Sequence, residues 1–144
     1  CTCSPTAKKR YQDKVSGPLL DRIDIHVEVA PVEYNELSDN NEGEKSRDIK
    51  KRVDKARAVQ QKRFAGTKIT CNAKMTKECC VLSEEADELL HESFDNFSMS
   101  ARAYDKVLRL ARTIADLADS EEIKLEHIAE ALQFRALDRK YWEV

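Results

Sequence analysis

The sequence predicts a mainly α chain with a single β-strand near its start, and three observations carry that expectation. Ile23-Asp24-Ile25-His26-Val27-Glu28-Val29 alternates β-branched and polar residues with period two, the mark of a half-buried strand, and no stretch of comparable quality follows it. From about Ser46 onward, apolar residues recur at the three- and four-residue spacing of amphipathic helices. Over 144 residues, 36% are charged and 41% hydrophobic, a balance that suits water-facing helices around a core and not disorder.

Ser4-Pro5 opens the first helix, with Ser as N-cap and Pro at the first helical position, and Ser16-Gly17-Pro18 stops it after about Val15. Leu19-Leu20-Asp21-Arg22 leads into the strand, which Pro31 closes. A strand needs a neighbour for its N–H and C=O groups, and Lys68-Ile69-Thr70 is too short and weak to serve, so sheet partners are expected upstream of this chain. Residues 31–43 form a polar linker ending in Asn-Asn-Glu-Gly. A long helix is predicted from Ser46 to about Phe64, with Ile49, Val53, Ala56 and Phe64 on one side and Gly66 placed to end it. Ser83 caps the next, whose apolar face is Ala86, Leu89, Leu90, Phe94 and Phe97. Ser98 or Ser100 caps a helix to about Ala118, striped by Tyr104, Val107, Leu108, Ala111, Ile114 and Ala115, with Arg102, Lys106, Arg109 and Thr113 on another face. A last helix after Asp119-Ser120 carries Ile128, Ala131, Leu132 and Arg135.

Several functions are excluded or disfavoured by simple counts. The net charge of −2 gives no global pull toward nucleic acid. No apolar run is long enough for a membrane span or a secretory leader. The three glycines, Gly17, Gly43 and Gly66, lie too far apart for either Gly-rich phosphate-cradling loop, so this chain does not grip nucleotide by itself. Five cysteines, at 1, 3, 71, 79 and 80, form no disulfide framework and fit a reducing, cytoplasmic setting. The Cys1-Thr2-Cys3 start, without Met or leader, reads as a piece of a larger protein.

Few residues stand out as chemical candidates. Across residues 44–66, nine basic side chains outnumber three acids, and Lys50, Lys51 and Arg57 are the candidates for contact with nucleic-acid phosphates. The competing reading is a solvated face paired with helix 83–97, which carries six acids and no Lys or Arg, and charge alone favours it. Cys1 and Cys3 are at most half of a zinc site. His26 is expected on the polar face of the strand, and His91 and His127 on helix surfaces, with no metal-binding spacing among them. Arg22, just before the strand, can either reach a neighbouring subunit's triphosphate or pair locally with Asp21 or Asp24.

Four blocks in order carry a resemblance that spans nearly the whole chain: Ser16-Gly-Pro-Leu-Leu-Asp-Arg-Ile-Asp-Ile-His-Val-Glu-Val29; Arg57-x-x-Gln60-x-x-Arg63-Phe64 followed by Asn72-Ala73; Ser100-Ala-Arg-Ala-Tyr-Asp-Lys-Val-Leu-Arg-Leu-Ala-Arg-Thr-Ile-Ala-Asp-Leu117; and Glu126-His-Ile-Ala-Glu-Ala-Leu132. Together they resemble the C-terminal part of the magnesium chelatase-like AAA+ ATPases of bacteria, the YifB/ComM type. The resemblance implies that residues 1–30 are the tail of an ATPase α/β core, 31–43 a linker and 44–144 a helical lid domain. It implies that Arg22 is an arginine finger acting in trans, and that Arg102 is a sensor-2 residue contacting the ATP γ-phosphate in cis. A helix N-terminus carrying Arg suits anion binding. It also implies ATP and Mg²⁺ as cofactors of the full-length protein, with neither held stably by this piece, a homo-oligomer that is a hexamer, and DNA remodelling or branch migration driven by hydrolysis. Two alternatives stay open: a magnesium chelatase subunit powering metal insertion into a tetrapyrrole, and a non-enzymatic helical interaction module.

Overall fold

The computed structural model describes residues 2–15, 17–20, 22–32, 43–64, 78–97 and 99–135. Among the described residues six helices follow in order: α1 Pro5–Gln12, α2 Gly17–Leu20, α3 Ser46–Arg63, α4 Glu84–Asn96, α5 Ala101–Leu117 and α6 Leu125–Gln133. Three of their starts are written in the sequence, whereas α2 falls where the Ser16-Gly17-Pro18 stop and the lead into a strand were expected. Ser4, Ser83 and Ser100 each sit in extended backbone and accept the N–H three residues on, from Ala7, Ala86 and Ala103, which satisfies one otherwise orphaned donor of each first turn. Glu84, Glu85 and Asp87 add the favourable charge for the positive end of α4.

The centre of the molecule is α5. Its stripe of Val107, Leu108, Ala111, Ile114 and Ala115 is buried against Ala86 and Leu90 of α4, Ile128 and Ala131 of α6, and the flanking Cys80 and Ile123. The alanines let backbones approach while Leu90, Ile123, Ile128 and Val107, the largest fully buried side chains, fill the volume between. Phe94 and Tyr104 meet edge to face, with centroids 6.0 Å apart, at the margin of this core. A single parallel bridge joins Leu82 to Ile123, the Ile123 N–H donating to Val81 O and the Ser83 N–H to Ile123 O. It ties the segment entering α4 to the one entering α6.

The end of α5 is a tight cap with an unusual residue. The Asp119 and Ser120 N–H groups return to the carbonyls of Asp116 and Ala115, the double-bonded arrangement that needs a left-handed residue, usually Gly, between them. Asp119 occupies that place at φ 61°. Replacing it with Gly relieves the left-handed penalty and loses only the exposed Lys55–Asp119 ion pair of 2.8 Å. Asp119→Gly is therefore expected to stabilise the chain by about 0.5–1 kcal/mol, read as a raised urea midpoint; an unchanged or lowered midpoint would mean the ion pair outweighs the strain.

The expected strand is not formed. Residues 23–29 run extended but belong to no sheet, and no strand occurs among the described residues; Lys68-Ile69-Thr70 lies outside them. The apolar row that was expected inside is exposed, and of the polar set Asp24 and Glu28 stay exposed while His26 is buried. Ile25 and Val29 are 47% and 85% exposed, whereas His26, from the polar set, is 7% exposed. The cause is what the segment bonds to. Without a neighbouring strand, its backbone is used at only a few points by the end of α6: the His26 N–H donates to Phe134 O at 2.9 Å, and Arg135 Nη1 donates to Ile23 O at 2.8 Å. Those contacts turn His26 inward and leave the apolar row outward.

Candidate functional site

The groups that gather chemistry lie on the α5 face away from α4, between α3 and the Arg22 turn. Arg102 stands in the first turn of α5, exposed, two residues past the Ser100 cap. One turn later Lys106 reaches out of a mostly buried stem to Asp24, with Nζ to Oδ1 at 2.8 Å. That hydrogen bond holds the Asp24 carboxyl below its ordinary value against a small desolvation penalty, and the charges of Lys106, Arg109 and Arg135 add to it. Asp24 is two residues past Arg22. The turn bearing Arg22 is therefore docked on the same helix that carries Arg102. Arg22 is exposed, its Nη1 donating to Pro18 O at 3.1 Å across its own turn; the pairing with Asp24 considered from the sequence is taken by Lys106 instead.

Further along α5 lies a buried charge cluster that the sequence reading missed. Asp116, 3% exposed, accepts from Arg112 Nε at 3.0 Å, from Arg63 Nη1 and Nη2 at 2.9 and 2.6 Å, and from Gln60 Nε2 at 3.3 Å. Arg112, 5% exposed, spends its remaining donors on the carbonyls of Ser120 and Glu121. One carboxylate thus joins α3, α5 and the loop into α6. Burial pushes the Asp116 carboxyl up, but the Arg63 hydrogen bond and the neighbouring Arg112 and Arg63 charges pull harder, and the net direction is down. A cleft of about 200 Å³ opens beside the cluster, lined among others by Arg63, Phe64, Cys79, Arg109 and Thr113. The signal for the cluster was present as Arg112 and Asp116 at i and i+4, but Arg112 falls beside the apolar stripe and nothing local says that α3 will supply the second guanidinium.

Much of the basic face of α3 is already paired with acids. Lys50 pairs with Asp54 at 2.6 Å, Lys51 with Asp48 at 2.8 Å, Arg52 with Glu44, Lys55 with Asp119 and Arg63 with Asp116. The acids in these pairs come from α3, the residues before it and the end of α5, not from acidic α4 as the solvated-face reading expected. Lys50, Lys51 and Arg57 are all exposed. Cys3 is exposed with a free thiol, and Cys1 lies outside the described residues. Among the described residues no three His, Cys, Asp or Glu side chains gather in a metal-holding group. His127 is buried and not on the surface as expected, its Nδ1 accepting the Lys124 N–H and so capping α6. No described helix is long and apolar enough to cross a membrane.

Residues 43–135, which include α3 to α6, match the family described as magnesium chelatase, subunit ChlI C-terminal. The chain belongs to that family. Residues 1–37 match the companion description, magnesium chelatase, subunit ChlI, so the magnesium chelatase-like assignment covers both the Arg22 turn and the helices. Among curated relatives, the competence protein ComM of Haemophilus influenzae is 34% identical over 137 residues, 94% of this chain and 27% of its own length. YifB of Escherichia coli is 35% identical over 138 residues, 95% of this chain and 27% of its own. YifB of Salmonella typhimurium is 33% identical over the same number. The chain thus spans about a quarter of the length of these relatives.

Proposed function

We propose that this chain supplies the helical lid and the arginine-bearing turn of an ATP-driven, ring-forming motor that remodels DNA. In this reading residues 1–30 close an ATPase core, 31–43 are a linker and 44–144 form the lid. The observation that supports it is the docking of the Arg22 turn onto α5 through Asp24 and Lys106, one turn from Arg102, with both arginines exposed. Arg102 reaches the γ-phosphate of the nucleotide bound by its own subunit, and Arg22 that of the adjacent one. Guanidinium forks suit phosphate oxygens and do not ligate Mg²⁺. The chain therefore serves the phosphate side of the site, and the metal's ligands are expected on other parts of the protein. The competence naming of the Haemophilus relative favours DNA as the substrate over a tetrapyrrole.

The deciding experiment measures ATP turnover by the intact protein with branched DNA and, separately, with a tetrapyrrole and Mg²⁺. Stimulation by DNA together with strand exchange supports the proposal. Metal insertion without any DNA effect replaces it with the chelatase alternative. Turnover by neither route leaves the helical interaction module.

The exposed cations of α3 are the proposed DNA contacts. The ion pairs of Lys50 and Lys51 lie in solvent and are worth at most about 1 kcal/mol each, so phosphates can displace the acids. Reversing Lys50, Lys51 and Arg57 to Glu is expected to weaken binding and to flatten the plot of log affinity against log salt by roughly 3. Identical affinity and slope would return α3 to a solvated face.

A further inference from the structure

We infer that Lys106 and Arg135 are positioning residues for Arg22, clamping the turn that carries it to the helices α5 and α6. This rests on reading Arg22 as a phosphate-contacting arginine. Three contacts fall on four consecutive residues, Ile23 to His26, immediately after Arg22. Arg135, 6% exposed, donates to Ile23 O at 2.8 Å. Lys106, with only 10% of its side chain exposed, holds Asp24 at 2.8 Å. Phe134 O accepts the His26 N–H at 2.9 Å. Leu20, two residues before Arg22, is buried as well. The chain just after Arg22 is therefore held at three points while the Arg22 side chain stays exposed.

The placement has a mechanical meaning. A guanidinium stabilises developing charge only when it is held close to the reacting phosphate, and a displacement of about 1 Å can cost a hundredfold in rate. Lys106 is one turn from Arg102 on the same helix. A tilt of α5 then carries both guanidiniums together, so the lid helix that reads one nucleotide also aims the arginine sent to the next.

Two readouts test this. In the 144-residue chain, amide exchange at His26 reports the clamp directly. Lys106→Ala, Asp24→Ala and Arg135→Gln are each expected to speed it about tenfold or more, leaving the Val107 and Ala111 amides of the core unchanged. Unaltered His26 exchange in all three overturns the inference, and if Arg135→Gln or Lys106→Ala does not fold, Asp24→Ala, at an exposed carboxylate, carries the measurement. In the intact protein, Lys106→Ala is expected to lower kcat for ATP by about tenfold or more with KM unchanged. Exchanging the pair, Asp24→Lys with Lys106→Asp, is expected to restore it. A loss of kcat that the exchanged pair does not restore overturns the positioning role. Faster His26 exchange combined with full turnover by Arg22→Ala would instead sink the phosphate reading of Arg22 and leave the clamp standing.

Discussion

Asp116→Ala is expected to destabilise the chain by about 3–5 kcal/mol, because it leaves two guanidiniums facing a site built for one carboxylate. Arg112 suffers most. It is buried, and without Asp116 it keeps only the Ser120 and Glu121 carbonyls, neutral acceptors that do not offset its charge. Arg63 loses both of its hydrogen bonds to Asp116 but is partly exposed and can turn to solvent. The loss should therefore be non-additive. Adding Arg112→Met to Asp116→Ala removes the stranded charge and is expected to recover part of the stability, whereas two independent sites would sum. Urea unfolding of the four variants of the cycle measures this, and simple additivity would mean the cluster is not the unit described. The same carboxylate sets an acid limit. Its pKa is lower in the folded chain than in the unfolded one, so its contribution is fully present above about pH 4. It fades as the pH falls through the lower, folded value. Asp24, shifted in the same direction, adds to that loss.

Arg22→Ala in the intact protein is expected to lower ATP turnover by about a thousandfold or more, the scale on which an arginine supplied across a subunit boundary acts in phosphoryl transfer. Nucleotide binding should change little, since in the proposed reading the residue meets the triphosphate of a neighbour and its charge matters most as the γ-phosphate leaves. The structure supports a clean substitution. Arg22 is exposed, and its side-chain hydrogen bond is to Pro18 O within its own turn, so Ala removes no buried contact and the fold should be unaffected. Arg102→Ala provides the contrast, because a residue contacting its own subunit's nucleotide should change affinity as well as rate. Normal kcat in Arg22→Ala would remove the trans assignment.

The longer helices and the three serine caps were legible because they depend on local chemistry, whereas the short helix Gly17–Leu20, where a stop was expected, was not. Ser4, Ser83 and Ser100 announce their own helices, and the stripe from Val107 to Ala115 states which side of α5 is inside. The extended segment was not legible. Alternation at Ile23 to Val29 records a preference of side chains for a sheet face, but a strand exists only where another chain segment completes its hydrogen bonds. Here the end of α6 makes the contacts instead, and the inward residue becomes His26. The charge cluster was hidden for a related reason. Gln60, Arg63, Arg112 and Asp116 are brought together over more than fifty residues of chain, and each alone reads as an ordinary polar residue of a charged helix. The positions of Arg22 and Arg102 were visible as motif residues, but the Lys106–Asp24 link that relates them needed the fold.

One asymmetry of α3 bears on how the molecule moves. Its Arg63 end is bolted to Asp116, while at the Ser46 end Ile49 and Val53 stay in water and Ala56 is the one buried residue described along its length. The Lys50 and Lys51 end therefore has little buried surface to resist a lateral push, and the strain of such a push falls on the anchors further along, the Lys55–Asp119 pair and the Arg63–Asp116 fork.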